Sequence, residues 1–170
     1  MPRTIALAAS VGVLAVVATW LFGLAPLTAA KLQVWQAFIA WGCHYQSGGK
    51  FRGSLATVIC MIFGAVVGMV AVMGVGQMTT LGVYAAPVAV GLGATVIVLA
   101  SKVPLLETIP ASVYGFAAIA GLILLSKMDP TLALVPTALS VVIGAVFGFV
   151  SEVIANALTK KAPAAAAAAA

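Results

Sequence analysis

Six runs of apolar residues follow one another along the chain, separated by short stretches that contain glycine, proline or charged residues. We place these runs at residues 4–24, 34–46, 54–74, 79–100, 110–125 and 130–158. A helix of about 20 apolar residues crosses a hydrocarbon layer about 30 Å thick, and backbone groups inside lipid must be hydrogen-bonded within the segment. The pattern therefore predicts an all-α fold, a polytopic membrane helix bundle of six hydrophobic segments.

Two of these runs are short. Segment 34–46 ends at a turn of Ser47, Gly48 and Gly49, and segment 110–125 begins with a proline, which suits the first turn of a helix. About 13 helical residues rise only about 20 Å, which is less than the hydrocarbon thickness. We therefore expect two short or broken helices that are tilted or re-entrant. The alternative is that each is an ordinary helix that continues into its flanking loop.

The order long, short, long occurs twice along the chain. Laying residues 54–70 over residues 134–150 pairs Thr57 with Thr137, Gly64 with Gly144, Gly68 with Gly148 and Val70 with Val150. A similar shift places Ala37 opposite Ala111 in the short segments. Because each half has an odd number of crossings, the second half enters the membrane from the opposite side, so we predict a 3+3 inverted repeat. The alternative is chance similarity among Ala, Val and Gly.

The predicted repeats span residues 4–75 and 79–158 of a single transmembrane domain that covers residues 1–159. Residues 160–170 form an alanine-rich tail, which we expect in the cytoplasm. Within the domain, Gly64 with Gly68 and Gly144 with Gly148 allow two helix backbones to approach closely. We expect these pairs to join the third and sixth segments to each other. The alternative is a contact between subunits.

Composition and charge narrow the class of protein. Apolar residues make up 64% of the chain and charged residues 6%, far from the roughly one-quarter of charged residues in soluble domains. The net charge of +5 does not indicate a nucleic-acid partner, because the cations fall between or outside the apolar runs. Cytoplasmic loops carry an excess of Lys and Arg. We therefore predict two cytoplasmic termini, with only Lys31 and Lys127 outside and the remaining cations inside, namely Arg3, Lys50, Arg52, Lys102, Lys160 and Lys161.

Three groups of residues carry a resemblance to a known family. They are Trp35-Gln36-Ala37-Phe38 with Tyr45, Gly48-Gly49 with Gly53, and Pro110-Ala111-Ser112-Val113-Tyr114-Gly115 followed by Gly144 and Gly148. In this order they resemble the YcdZ-like family of small bacterial inner-membrane proteins, a family of unknown function. The resemblance covers most of residues 30–158 and implies a bacterial inner-membrane location, but no activity. His44 stands where the family pattern leads us to expect an aromatic residue.

The two short segments mark the candidate solute site. Paired broken helices in two inverted halves commonly indicate a site near the bilayer midplane, where free helix ends offer polar backbone groups. The candidate lining residues are His44, Gln46, Thr57, Glu107, Thr108, Ser112, Tyr114, Thr137 and Ser140. Because these residues include few charges, they suit urea, ammonia or a short amide better than a bare ion.

Two of the candidates have competing interpretations. His44 is placed to titrate near neutral pH or to bond a passing solute, but it is also placed to act as an interfacial anchor. The anchor is favoured because no acidic residue lies nearby in sequence. Glu107 is placed either to form a gate on the cytoplasmic side or to lie at the surface, where it pairs with Lys102. We expect Glu152 to be structural and to reach water beside Lys160.

The groups that most membrane-embedded enzymes require are not recognisable in the sequence. We find no Ser/His/Asp set, no paired intramembrane carboxylates, no His pair at metal-ligand spacing and no phosphate-binding glycine motif. We therefore expect no enzymatic activity, no metal and no cofactor. Cys43 and Cys60 are expected to be reduced packing residues.

These observations favour a channel or facilitator for a small neutral or weakly polar solute. The chain has many small residues, which gain packing contacts when several copies associate, so we expect a homo-oligomer in the lipid bilayer. The alternative is a non-transporting accessory or scaffold subunit of a larger membrane protein complex. The two alternatives share the same sequence pattern, and a flux assay distinguishes them.

Overall fold

The computed structural model of the protein describes residues 1–159, which form seven α-helices. The helices are α1 (Arg3–Phe22), α2 (Ala25–Ala29), α3 (Val34–Gln46), α4 (Lys50–Gln77), α5 (Ala85–Ala100), α6 (Ile109–Ser126) and α7 (Pro130–Leu158). Short 3-10 turns at Thr79–Tyr84 and Pro104–Leu106 lead into α5 and α6. Residues 1–159 contain no strand, so the predicted all-α fold is confirmed. The predicted alanine-rich tail lies outside the described residues.

Five helical stretches are long and apolar enough to cross a membrane, as expected of a multi-pass membrane protein. They are Arg3–Phe22, Lys50–Gln77, Thr79–Ala100, Ile109–Ser126 and Pro130–Leu158. Helix α3, with 13 residues, has the bounds of the predicted short segment. Helix α6 is unbroken and has 18 residues, one more at each end than the predicted short segment 110–125. It ends where Lys127 adopts a left-handed backbone.

Local chemistry sets the first residue of two of the long helices, α7 and α4. Helix α7 begins at Pro130, and the carboxylate of Asp129 accepts the backbone N–H of Thr131 at 2.9 Å. The hydroxyl and then the N–H of Thr131 hold the pKa of the Asp129 carboxyl below its usual value. Helix α4 follows a tight turn in which Gly48 and Gly49 have φ of +92° and +67°. Glycine adopts this left-handed backbone without the strain of a side chain.

Four helices form the centre of the bundle, and two lie outside it. Helix α4 packs along α6, α7 packs along α3, and α4 and α7 contact each other. Helix α1 lies on α7, and α5 lies on α4. Exchanging α1 with α5, α3 with α6 and α4 with α7 leaves this set of neighbours unchanged. These are the neighbours that two related three-helix halves would have.

The first glycine pair lies where α4 meets α6. A methyl group on Gly64 would overlap the backbone of Ser112, and one on Gly68 would overlap the side chain of Ile119. Both contacts are on α6. These glycines therefore allow close packing, but their nearest neighbours belong to α6 and not to α7.

The second pair lies where α7 meets α3. A methyl group on Gly144 would overlap the backbone of Ala37, and one on Gly148 would overlap the ring of His44. The long helices α4 and α7 do contact each other, but the glycine pairs do not make that contact. The prediction that the glycine pairs join the third and sixth segments to each other is therefore wrong. The first pair is approached by α6 and the second by α3, because these helices lie across the glycine faces.

The two ends of the bundle can be told apart by the chain termini. The amino group of Met1 donates to the carbonyl of Leu158 at 3.2 Å. We call this end the terminal end, and the end where α6 stops and α7 starts the far end. Lys31 and Lys127 lie in far-end loops. The remaining described cations lie at or beside the terminal end, namely Arg3, Lys50, Arg52 and Lys102.

Candidate functional site

Two polar pockets lie at opposite ends of the bundle. The far-end pocket, with a volume of about 540 Å³, is lined by the end of α1, by Lys31 to Val34 and by Ser126 and Met128. The terminal-end pocket, of about 430 Å³, is lined by the turn between α3 and α4, the start of α4 and the segment before α6. Each pocket is thus lined by a loop between two helices and by the segment that precedes α3 or α6.

The segments that lead into α3 and α6 both enter the bundle. The backbone N–H of Gln33 donates to the hydroxyl of Ser140 at 3.0 Å, and the thiol of Cys60 donates to the carbonyl of Leu105 at 3.4 Å. Ser140 and Cys60 each lie about 15 Å along their long helix from its first residue. Helices α3 and α6 therefore both begin inside the bundle, α3 beneath the far-end pocket and α6 beneath the terminal-end pocket.

Two buried polar atoms near these helix starts have no partner. Gln36, in the first turn of α3, donates through Nε2 to the carbonyl of Ala118 at 2.9 Å and to the hydroxyl of Thr137 at 3.1 Å. Its Oε1 accepts no hydrogen bond. The hydroxyl of Ser112, in the first turn of α6, also has no partner. Within residues 1–159, these are the two buried side-chain polar atoms left unpaired. Such atoms are costly to leave unpaired, so each calls for an explanation in the folded protein.

The predicted hydroxyl lining is dispersed through a closed core. Thr57 bonds Ser47 at 3.4 Å, Thr137 bonds Gln36, and Ser140 bonds Gln33. Their side chains and that of Ser112 are at most 1% exposed. A packed apolar cluster lies among α3, α4, α6 and α7, and it consists of Ala40, Cys43, Cys60, Met61, Ala111 and Val141. In this conformation the cluster separates the far-end pocket from the terminal-end pocket.

The remaining predicted lining residues lie in two other places. Glu107 and Thr108 line the terminal-end pocket together with Arg52. Gln46 and Tyr114 share a different cavity, of about 550 Å³, on the side of the bundle between α3 and α6. The predicted residues therefore do not form one continuous lining.

His44 is buried, so the favoured interpretation of it as an interfacial anchor is wrong. Its ring is fully inaccessible because Gly148 leaves room for it on the surface of α7. Nδ1 of His44 bonds the hydroxyl of Ser54 at 2.8 Å, and Nε2 bonds Oε2 of Glu152 at 3.1 Å. The same carboxylate oxygen accepts the backbone N–H of Lys50 at 2.6 Å. Glu152 thus supplies the acidic neighbour that the local sequence lacks.

A second polar cluster, one turn away, is fully satisfied. The hydroxyl of Ser151 bonds the indole N–H of Trp41 at 2.9 Å and the phenol of Tyr45 at 2.6 Å, and it donates to the carbonyl of Gly148 at 2.8 Å. Ser10 of α1 donates to the carbonyl of Ser151 at 3.0 Å. This cluster holds α1, α3 and α7 together.

Metal-ligating groups do not cluster in the part of the chain that the structure describes. No three His, Cys, Asp or Glu side chains among residues 1–159 come together in a way that would hold a metal ion. Cys43 and Cys60 are both free and buried. The chemistry available to the described site is therefore that of hydrogen bonds, hydroxyls, one imidazole and carboxylates.

A family model matches most of the chain. It is described as "Protein of unknown function (DUF1097)" and it covers residues 8–156. No curated protein and no solved structure matches. The match confirms the expectation, drawn from the sequence motifs, of a family without an assigned activity.

Proposed function

The chain belongs to the DUF1097 family of proteins of unknown function, and we propose that it is a facilitator for a small neutral or weakly polar solute. The solute enters through the far-end pocket or the terminal-end pocket and passes the first turns of α3 and α6. The observation that carries this proposal is the pair of unpaired buried atoms in those turns, Oε1 of Gln36 and the hydroxyl of Ser112.

The chemistry of these two atoms indicates the class of solute. An amide oxygen only accepts hydrogen bonds, whereas a hydroxyl both donates and accepts. Urea, ammonia and short amides offer N–H donors to Gln36, and they exchange a hydrogen bond with Ser112. A bare ion would need several oriented dipoles or charges, which the apolar core between the pockets does not offer.

The 3+3 inverted repeat is part of the proposal. The exchange of neighbours between the two halves supports it. So do the glycine contacts, since Gly64 meets Ser112 as Gly144 meets Ala37. These contacts pair Ala37 with Ser112, one residue beyond the pairing with Ala111 drawn from the sequence. In this scheme each pocket belongs to one half, and small displacements of α3 and α6 over the glycine faces connect the pockets through the core.

A flux assay in liposomes tests the proposal. Purified protein is reconstituted, and the entry of urea, ammonia, formate and glycerol is measured separately. We expect flux of urea or ammonia above that of empty liposomes. Replacing Gln36 by Leu is expected to lower it about tenfold, roughly the contribution of one hydrogen bond. The matched control is Thr95→Val, because Thr95 is exposed on α5 and bonds only the carbonyl of Gly91 in its own helix.

The outcome that would contradict the facilitator is equally direct. Folded, reconstituted protein that passes none of the four solutes excludes it. Stable copurification with one membrane complex would then favour the alternative, a non-transporting accessory or scaffold subunit.

A location in the bacterial inner membrane, two cytoplasmic termini and assembly into a homo-oligomer complete the proposal. Cross-linking in native membranes tests the oligomer independently of flux.

A further inference from the structure

The walls of the two polar pockets are held in place to different degrees. At the far end, the backbone N–H of Gln33 donates to the hydroxyl of Ser140 on α7 at 3.0 Å, and the neighbouring Leu32 is only 9% exposed. The side chain of Gln33 bonds the carbonyl of Lys31 at 3.0 Å and the indole N–H of Trp35 at 3.2 Å. Hydrogen bonds and burial therefore fix the far-end wall against the rest of the bundle.

The segment that forms the corresponding wall at the terminal end is attached more weakly. Residues 101–108 join α5 to α6, and we call them the connecting segment. Within residues 1–159, its one hydrogen bond to a helix other than α5 and α6 comes from the thiol of Cys60, 3.4 Å from the carbonyl of Leu105. A thiol is a weak donor. Val103 is 48% exposed and Leu105 is 65% exposed, so the connecting segment also lacks the burial of the far-end wall.

Helix α5, which leads into the connecting segment, makes no side-chain hydrogen bond to another helix in the part of the chain that the structure describes. The hydroxyls of Thr95 and Ser101 donate to carbonyls of α5 itself. Helix α1 has the corresponding place on α7, but there the hydroxyl of Ser10 donates to the carbonyl of Ser151 at 3.0 Å. Apolar packing alone therefore holds α5 to the described bundle.

An apolar groove and an exposed turn leave α5 room to tilt. The groove, of about 380 Å³, lies between α4 and α5, where Val70 and Leu92 are among its lining residues. At the far end, all 6 residues of the turn Thr79–Tyr84 are exposed. Gly82 in this turn has φ of +50°, and nothing lies within 4 Å of a methyl group added there. Helix α5 is about 24 Å long, so a tilt of about 10° at this turn moves its last residue by about 4 Å.

Elements that move on binding are drawn from the parts of a protein with few buried contacts and weak local stability. We propose that the connecting segment is the gate of the terminal-end pocket and that α5 moves with it, while the far-end wall stays in place. Pro104, Glu107 and Thr108 of the connecting segment line this pocket, so its displacement changes the opening directly. The gate rests on the facilitator function proposed above, since it controls entry to the same path.

The two walls differ in what an opening movement breaks. Displacing the far-end wall leaves the N–H of Gln33 and the hydroxyl of Ser140 unpaired inside the bundle, which is costly. Displacing the connecting segment breaks the thiol contact of Cys60 and the packing of Leu106 on the apolar cluster. The gate also leads to the first turn of α6, where the hydroxyl of Ser112 is unpaired. Opening at the terminal end is therefore the less costly movement.

Distances between spin labels test the movement without any measurement of flux. In liposomes, labels on Lys102→Cys and Asn156→Cys report the position of the connecting segment relative to the terminal end of α7. The matched pair at the far end is Ala30→Cys with Leu132→Cys, beside the far-end wall and in the first turn of α7. The native thiols are 1% and 0% exposed and stay unlabelled. We expect a broad or two-peaked distance distribution for the first pair and a single narrow one for the second.

A disulfide that holds the gate closed tests its role in transport. Leu106 packs against the cluster that contains Cys60, so Leu106→Cys is expected to form a disulfide with the native thiol under oxidising conditions. We expect the oxidised variant to pass ammonia or urea at least about tenfold more slowly than the reduced one, because the gate can no longer open. The control combines Leu106→Cys with Cys60→Ala, and its flux is expected to be the same under oxidising and reducing conditions.

Three results overturn the gate. They are a narrow distance distribution for the terminal-end pair, equally broad distributions at both ends, and flux that persists at the full rate with the disulfide closed. Failure of the facilitator function is a separate result. If neither ammonia nor urea passes in any variant, that function is excluded, and the distance distributions still decide whether the connecting segment moves.

Discussion

At the scale of single residues, the buried polar atoms divide into those that are satisfied and those that are not. Ser151 and Thr137 have partners, and their hydrogen bonds hold helices together. The hydroxyl of Ser112 has none, although its side chain is 1% exposed. An unpaired buried hydroxyl lowers stability, and the proposed solute pathway would give this one a role.

Ser112→Ala separates function from stability. The alanine removes a buried polar atom that bonds nothing, so we expect the free energy of unfolding to rise by about 1 kcal/mol while solute flux falls. Thr137→Val is the matched comparison, because it breaks a bond to Gln36 and is expected to lower stability. Thermal unfolding in detergent measures both. A Ser112→Ala protein less stable than wild type would show that the hydroxyl is structural.

The residues that sequence reasoning found are those that carry a local signal. Thr137, Ser140 and Ser112 stand out as polar positions in apolar runs, and all three are buried. The grouping of Ser54 and Glu152 around His44 was missed. Glu152 and His44 are 108 positions apart in sequence, and only the packing of α3 on α7 brings them together. A signal existed in Gly148, whose missing side chain makes room for the imidazole, but its partner could not be read from the sequence.

At the scale of elements, the helices α3 and α6 determine how the bundle closes. Each lies across a pair of glycines on a long helix, and at Gly64 and Gly144 the two backbones are so close that no side chain fits between them. The existence of six helices and the bounds of α3 followed from hydropathy and from the Gly48-Gly49 turn, whereas the five-residue helix α2 was not predicted. The glycine partners did not follow, because a glycine pair indicates close approach without indicating which helix approaches.

Gly64→Ala tests this packing. The added methyl group overlaps the carbonyl of Ser112, so we expect a loss of about 3 kcal/mol in the free energy of unfolding, or failure to fold. Gly12→Ala on α1 is the control, because nothing lies within 4 Å of the new methyl group. It is expected to be neutral or to stabilise the helix by about 1 kcal/mol. Equal thermal stability of the two variants would contradict the close α4–α6 contact.

At the scale of the whole molecule, the charges of the loops and the hydropathy of the helices together bear on how the protein is oriented in the membrane. The described cations at the terminal end outnumber Lys31 and Lys127 at the far end, which favours a cytoplasmic terminal end. This charge bias could be predicted from the sequence, because topology depends on loop charge and segment length. The closed core could not be predicted, because the same small residues can either line a path or fill a core.

Cysteine labelling tests the orientation in intact cells. A membrane-impermeant maleimide is expected to label Ala30→Cys at the far end from outside the cell. Val103→Cys, near the terminal end, is labelled only after the membrane is opened. The wild-type protein provides a low background, because Cys43 is 1% exposed and Cys60 is 0% exposed. The reverse labelling pattern would place both termini outside.

The shortness of α3 has a consequence for how the protein is made. With 13 residues and a start beneath the far-end pocket, α3 is a poor substrate for insertion as an independent span. Its partners Thr137, Gly144 and Glu152 lie on α7, more than 100 residues later in the chain. We therefore expect α3 to reach its native position only after α7 has been synthesised, and not when α3 itself leaves the ribosome.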